Sequence, residues 1–450
     1  YLLFIFALVI SNQANAGVLE EIVVTAQKRD QNLKDIGIAV TAFSGDQLRA
    51  LSISDSVELA NQTPGLIFTQ AGGSSLSGLP SIRGVSQNDF GSHQETPNAL
   101  YIDDVYVSNL SAISSMMFDT ERVEVLKGPQ GTLFGRNATG GLMHIISRKP
   151  TAESEGYVDL TAGSYDQFRI EAAVSGALSD TVNARLAGIY NVNDGWMENE
   201  IGDDIIDDDT TAMRLHILFS PSDDLEMLLT ANYYKLNDIN AGGAYVEGAS
   251  LDADLRGIRR PDLPTDAIVG GSYIDADGDP YTGAWGFDGS LSRDAAGITS
   301  DINYQINEDW SLRSITNFSE VELAYFEDND LSPLDIARFR QGTDTDQYSQ
   351  ELQFNYTNDQ LSWLMGAYYL NIDGDYFRGF GVPGFGVDAD TPYSLKTESW
   401  AVFTQTEYRL TEHLKLITGI RWTEDKKEFD LTTTCDVIEA TVVALDCATA

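Results

Sequence analysis

The sequence predicts a compact mixed α/β domain followed by a transmembrane antiparallel β-barrel that is incomplete in this chain. Three observations predict it. A first part is built of short apolar runs between Gly-rich turns, and a second of long segments alternating in polarity. The connections in that second part alternate between tight polar turns and long acidic loops. That sorting by length is what a membrane barrel needs and what a soluble β-sandwich has no reason to adopt.

The chain opens at Tyr1 with a nine-residue apolar run, Leu2–Ile10, too short to span a bilayer, which takes ~20 residues. Ala14-Asn15-Ala16 follows, a small-residue pattern accepted by signal peptidase, so residues 1–16 read as a signal-peptide remnant cleaved before Gly17. The protein is expected to leave the cytoplasm. Residues 17–30 carry Glu21-Ile22-Val23-Val24-Thr25-Ala26, a β-branched stretch suited to pairing with another protein's sheet edge through its backbone. Taken alone, the same stretch reads better as an ordinary first strand; its place between a signal peptide and a compact domain favours the pairing segment.

Residues 31–150 form the α/β unit. Strands are expected at Ala39–Phe43, Ala99–Ile102, Val123–Leu126 and Leu142–Ile146, and a helix from about Ser54 to Asn61, ending before Pro64-Gly65. After Lys149-Pro150 the period changes to two. In Tyr348–Tyr356 the odd positions are all polar and the even ones mostly apolar; Trp400–Leu410, Val182–Tyr190, Trp310–Phe318 and Leu414–Trp422 alternate likewise. Tight turns fall at Ser179–Thr181, Ser220–Asp224, Asn307–Asp309, Thr357–Asp359 and Thr411–His413, with long loops near 191–210, 236–294, 327–345 and 371–396. About 11 strands result, from Gly156 to Phe429. Tyr190, Trp196, Tyr233, Tyr234, Tyr325, Phe326, Trp400 and Trp422 near strand ends suit interfacial aromatic girdles.

Charge follows the same division. The formal net charge of −41 excludes a nucleic-acid binder held by phosphate attraction. Residues 17–150 hold 10 Lys+Arg against 14 Asp+Glu, and residues 151–450 hold 18 against 55, so the acidity belongs to the second unit. Two cysteines, Cys435 and Cys447, lie close together near the end of an exported chain and point to a loop disulfide rather than a metal pair, since no His lies nearby.

Several phrases make the first unit specific. Pro64-Gly65-Leu66, Ile82-Arg83-Gly84, Tyr101-Ile102-Asp103-Asp104-Val105, Glu121-Arg122-Val123-Glu124-Val125-Leu126-Lys127-Gly128-Pro129 and Gln130-Gly131-Thr132-Leu133-Phe134-Gly135-Arg136-Asn137-Ala138-Thr139-Gly140-Gly141 resemble, in order, the plug signatures of TonB-dependent outer-membrane receptors. The Glu21–Ala26 stretch resembles that family's TonB box, and Ser349-Gln350-Glu351-Leu352 resembles phrases of its barrel. The resemblance implies a plug over 31–150 and the amino-terminal half of a barrel of roughly 22 strands over 151–450. It implies a receptor that catalyses no reaction and needs no cofactor. Its partners would be TonB in the periplasm, outer-membrane lipid and a small-molecule or metal-chelate substrate. It further implies that Arg83 and Lys127 pair with barrel carboxylates to lock the plug, with Arg122, Glu124, Gly84, Gly128, Pro129, Gly131, Gly135, Gly140 and Gly141 shaping it. Lys127 reads equally as a solvent-facing cation in a turn, and Lys lacks the bidentate fork of Arg.

The substrate stays open at this stage. A ferric siderophore is the leading expectation, with glycan, cobalamin, haem or another metal chelate as alternatives and a secreted acidic β-rich adhesin as a different class. Acidic loops repel anionic chelates at long range, an objection that weakens in salty water. His93, in a plug segment facing outward, reads as a substrate contact or as a polar loop histidine. Asp275, Asp277 and Asp279 read as a loop cation site or a solvated acidic loop, because the glycine is early and the twelfth-position Glu is lacking. Gly379–Gly384 matches G-x-G-x-x-G without the strand–helix setting that dinucleotide binding requires.

Overall fold

A computed structural model describes residues 23–437, less 30, 72–76, 88, 90, 92, 110–116, 241–266, 270–271, 275–278, 280, 287–288, 331, 384–386 and 432–433. The signal-peptide remnant, Glu21, Ile22, Asp275, Asp277 and the Cys435–Cys447 pairing lie outside the described residues and side chains.

The plug is built on a mixed sheet of five strands, β1 (Ala39–Ser44), β2 (Asn98–Ile102), β3 (Val105–Val107), β4 (Thr120–Lys127) and β5 (Gly141–Ser147). Their order is β1-β4-β5-β2-β3, with β2 and β5 parallel. All four expected strands are present. The expected helix is α2 (Ser56–Asn61), which begins where the Asp55 carboxylate accepts the N–H groups of Val57 and Glu58, both at 2.8 Å. A helix that periodicity did not reveal, α1 (Gly45–Ala50), starts from a Ser44/Gln47 capping box. A hairpin, Leu66–Ala71 with Ser77–Ile82, was also unforeseen. Leu59, Ile82, Val123, Val125 and Ile145 form a dry core with no exposed surface.

The second unit is one antiparallel sheet of eleven consecutive strands. They are β6 (Glu155–Ala162), β7 (Phe168–Ser179), β8 (Val182–Asn193), β9 (Asp208–Ser222), β10 (Leu225–Ile239) and β11 (Ser290–Gln305). Then come β12 (Trp310–Asp328), β13 (Arg338–Thr357), β14 (Leu361–Val382), β15 (Val387–Thr411) and β16 (Leu414–Leu431). A short strand, Thr434–Val437, adds to β15. The sheet curls around the plug without closing, so β6 and β16 are its edges. The five expected tight turns all lie on one side.

Polarity in this sheet is inverted. On β13 the concave face holds Gln347, Ser349, Glu351 and Gln353, all buried, while Tyr348 and Leu352 on the convex face are 39% and 46% exposed. On β9, Arg214 and His216 are buried beside an exposed Met213; on β15, Glu407 is buried while Trp400 and Val402 face out. An apolar convex face this large would be costly in water and is stable in hydrocarbon. Its limits are marked by rings. Trp310 stacks on Phe354 at 4.7 Å and meets Trp363 at 6.0 Å near the turns. Six to eight residues further along the strands, Tyr348, Tyr369 and Trp400 form a second belt, with Tyr369 and Trp400 at 4.3 Å. Among the described residues no helix is long and apolar enough to cross a membrane.

Two expectations are corrected. The stretches 327–345 and 371–396 are not loops, because β12 and β13 extend through most of the first and β14 and β15 through most of the second. Polar outward residues end the apolar alternation, but the backbone ladder continues above the membrane band. Tyr234 and Tyr325 point inward and are buried, their strand parity being opposite to that of the belt residues.

Candidate functional site

On the turn side, the segment Val23–Arg29 is folded back between plug and wall. Val23 and Val24 pair with Gln31 and Asn32, and Val24, Ala26, Gln27 and Lys28 are buried. Thr25 donates its N–H to Glu124 Oε1 at 2.8 Å and its hydroxyl to the same oxygen at 3.1 Å. Glu124 sits in the middle of β4, has no exposed surface, and also accepts from Arg122 Nε at 2.9 Å. The Asp104 N–H donates to His144 Nε2 at 3.1 Å, which leaves the ring proton on Nδ1, 3.4 Å from the Thr25 hydroxyl. Two cations then fasten the segment to the wall: Lys28 to Glu351, and Arg29 to Glu407 and Ser362. Strand parity marks Glu351 and Glu407 as inward-facing, but nothing in the sequence says which plug cation each meets.

A second set of contacts joins plug and wall midway. Asp119 takes a two-pronged contact from Arg185 of β8 at 2.6 and 2.7 Å, and both side chains are buried. Arg214 of β9 donates to the Phe118 carbonyl at 3.1 Å. Asp103 accepts the Ser147 hydroxyl at 2.6 Å, and that oxygen is 3.0 Å from His216 Nε2. On β12, Arg313 reaches Asp104 at 2.7 Å while holding Asp301 of β11 at 3.0 and 2.7 Å. Burial alone would raise the Asp104 carboxyl; Arg313 overrides it and holds the group well below the ordinary carboxylate range.

On the loop side, His93 projects from the plug into an aromatic corner of the wall. Its Nδ1 lies 2.8 Å from the Tyr393 hydroxyl, and Tyr376 stacks on Tyr393 at 5.2 Å and 9°. With the phenol donating, the neutral ring carries its proton on Nε2 and presents a donor. Burial, reinforced by Arg378, pushes the imidazole pKa down, so it stays neutral at pH 7. Around it Arg378 faces Asp89 at 3.5 Å, and Glu95 binds Arg136 at 2.5 Å and Lys427 at 3.2 Å. Burial works against the Glu95 carboxylate, but Arg136 and Lys427 lower its pKa. Burial, with Glu95 nearby, pushes Tyr106 up to about 12. The sequence singles out His93 but not Tyr376, Tyr393 and Arg378 beside it, which belong to strands whose polarity reads as loop.

The remaining predicted residues fall as follows. Arg83 and Lys127 meet at the Pro64-Gly65 turn, where Lys127 Nζ donates to the Pro64 carbonyl at 2.7 Å. Burial and Arg83 lower the Lys127 pKa. Among the described residues neither cation has a carboxylate partner. Gly128, Pro129, Gly131 and Gly140 lie in one closed turn, with Gly128 N–H donating to Gly140 O at 2.8 Å, and Gly84 follows Arg83 in the turn after Ile82. Gly141 abuts the Leu126 carbonyl with no room for a side chain. Gly135, at φ +79°, lets the Arg421 guanidinium pack on the plug; a Cβ would sit 2.5 Å from it. Asp279 is exposed and caps Tyr281 N at 3.0 Å. Among the described residues no group of three or more His, Cys, Asp or Glu is placed to hold a metal ion.

Comparison with known proteins agrees with this geometry. Residues 32–142 match the TonB-dependent Receptor Plug Domain and residues 228–441 the TonB dependent receptor-like, beta-barrel domain. The pesticin receptor of Yersinia pestis is 32% identical over 181 residues, covering 40% of this chain and 26% of that protein. The vitamin B12 transporter BtuB of Vibrio vulnificus is 27% identical over 255 residues, covering 53% and 39%. The crystal structure of the ferric yersiniabactin uptake receptor FyuA from Yersinia pestis superposes with a TM-score of 0.71 at 20% identity, over 89% of this chain and 60% of that one. At that identity the likeness establishes the fold. The chain therefore spans only part of the relatives it matches.

Proposed function

Because this chain belongs to the TonB-dependent receptor family and is an outer-membrane β-barrel protein, we propose that it imports a ferric siderophore with energy delivered by TonB. The observation that carries the reading is the buried, twice-fastened segment Val24–Arg29 on the turn side, opposite the His93 corner on the loop side. A strand-like box released from Glu124, Glu351 and Glu407 would be free to add to TonB's sheet edge. Arg83, Gly84, Arg122, Glu124, Lys127, Gly128, Pro129, Gly131, Gly135, Gly140 and Gly141 shape or lock the plug in this proposal. Arg83 and Lys127 face barrel strands beyond those described. His93 donates from Nε2 to an oxygen of the chelate, with Tyr376 and Tyr393 packing its apolar part. The likeness to the ferric yersiniabactin uptake receptor favours an iron chelate, and the similarity to a vitamin B12 transporter makes cobalamin the second reading.

The test is radioiron uptake from a panel of ferric catecholate, hydroxamate and phenolate chelates, with labelled cobalamin alongside, in cells with and without TonB. TonB-dependent uptake of one iron chelate, lost on deletion of Glu21–Ala26 while surface binding persists, is the expected result. Uptake unchanged by that deletion would sink the energy-coupled reading. Uptake of cobalamin alone would replace the substrate.

A further inference from the structure

The contact between plug and wall differs in kind along the described strands β7–β15. Against β7–β9 it is packed: Phe118 lies among Ala173, Ala187 and Ala212, and the Asp119–Arg185 pair closes the junction. Against β14 and β15 it is packed as well, with Leu364, Leu370, Ile372 and Phe403 joining Leu133, Phe134 and Leu142 of the plug, but against β10–β13 it is hollow. A cleft of about 520 Å³ on the turn side is lined by Lys28, Asp104, Arg313 and Glu407, among others. Above it lies a cavity of about 90 Å³ between Val105–Asn109 of the plug and the wall, and above that a cavity of about 20 Å³ touching His93 and Tyr376.

These three spaces form a series. The upper and middle ones share Ser108, Asn109 and Thr345, and the middle and lower ones share Asp103, Thr230 and Thr299. The seam so defined runs from the His93 corner to the stowed amino-terminal segment. Its smallest space has room for about one water molecule. What closes it is weak or recoverable. Gln347 donates to the Tyr106 carbonyl at 2.7 Å and accepts the Ser108 N–H at 3.2 Å, two neutral bonds. Arg313 can release Asp104 and still hold Asp301, so parting there leaves no orphaned guanidinium in the wall. On the packed flank, losing Asp119 would leave Arg185 with only the half-exposed Glu155, a costly state for a buried charge.

We propose that substrate leaves the His93 corner along this seam, between the plug's Asp103–Asn109 edge and wall strands β10–β13. Gln347 is the upper gate and the Asp104–Arg313 contact the lower. The proposal rests on the TonB-driven import reading and adds which flank of the plug parts.

The test is cysteine accessibility in the intact receptor in living cells, using a charged, membrane-impermeant methanethiosulfonate reagent and the unaltered receptor as background. Thr230→Cys and Thr299→Cys line the seam, and Ala187→Cys and Ala212→Cys lie on the packed flank. In cells with TonB, the seam cysteines should label at least tenfold faster than the packed-flank ones. Equal rates on both flanks, faster labelling of the packed flank, or no labelling at any of the four positions would overturn the seam. Fast seam labelling that is the same with and without TonB would support the seam and count instead against energy coupling.

Discussion

The plug and the barrel sheet bury opposite things. The plug places Leu59, Ile82, Val123 and Ile145 inside, whereas the sheet turns Leu352, Met365, Val402 and Ile420 outward and keeps Arg185, Arg214, Glu351 and Gln353 inside. Both follow one rule applied to different surroundings. A side chain faces the medium that solvates it best, and for the convex face of β9–β16 that medium is hydrocarbon. The plug then acts as the polar solvent for the concave face, which explains why its rim is rich in Asp, Ser and backbone donors. Their meeting line is where the two rules must be reconciled, and there the charged groups of one unit are partnered by the other.

The largest way to break that comparison is to remove one partner at the line. Asp119→Ala leaves Arg185 buried with a half-exposed Glu155, and should destabilise plug docking by about 3–5 kcal/mol. Faster trypsin cleavage of the plug in outer-membrane preparations would register it, and the double variant Asp119→Ala/Arg185→Met should recover much of the loss. Next comes polarity itself. Leu352→Arg, on the convex face of β13 between the two belts, should cost about 2–4 kcal/mol. Urea unfolding from lipid vesicles measures it, and a cost near zero would mean that this face does not meet hydrocarbon.

How much of this was legible follows the same division. Wall parity could be read because a period of two persists over long strands: Tyr348 and Leu352 against Ser349 and Glu351 needed no structure. The five tight turns were visible for the same reason. Strand length was not. Above the upper belt the outward residues become Asp344, Asp346, Asp373 and Asp375, so the apolar signal stops while the ladder continues, and Tyr376, Arg378 and Tyr393 were assigned to loops. In the plug, four strands and α2 were legible from apolar runs and caps. α1 has only six residues, too few for a helical period, and its Ser44/Gln47 cap was the available signal. Partnerships across the meeting line, such as Lys28 with Glu351 over more than three hundred residues of sequence, leave no local trace. His93 stands out in the sequence as a lone histidine; its aromatic corner does not, because β14 and β15 supply it.

A milder perturbation separates charge from packing at the line. The Asp104 carboxyl titrates well below its ordinary value, so its contribution is fully present above pH ~3.9, the ordinary Asp value, and disappears as pH falls through the lowered one. Asp104→Asn should remove that contribution, about 1–3 kcal/mol for a charged hydrogen bond, and should flatten the acid limb of plug docking below pH 4. An unchanged acid limb would place the pH dependence on other carboxylates.

The smallest effect lies wholly within the plug and so tests whether its own fold is independent of the wall. Asp55 caps α2 through two N–H groups, and Asp55→Ala should cost about 1 kcal/mol. If plug and wall obey separate rules joined at one line, that loss should appear as faster amide exchange in α2. The amides of Asp104 and Asp119 at the line, bonded to His144 and Glu171, should keep their protection. Exchange rising equally at β4, β5 and the wall strands would show that the plug's core and its docking are one cooperative unit, and the contrast between the two regions would then hold for polarity but not for stability.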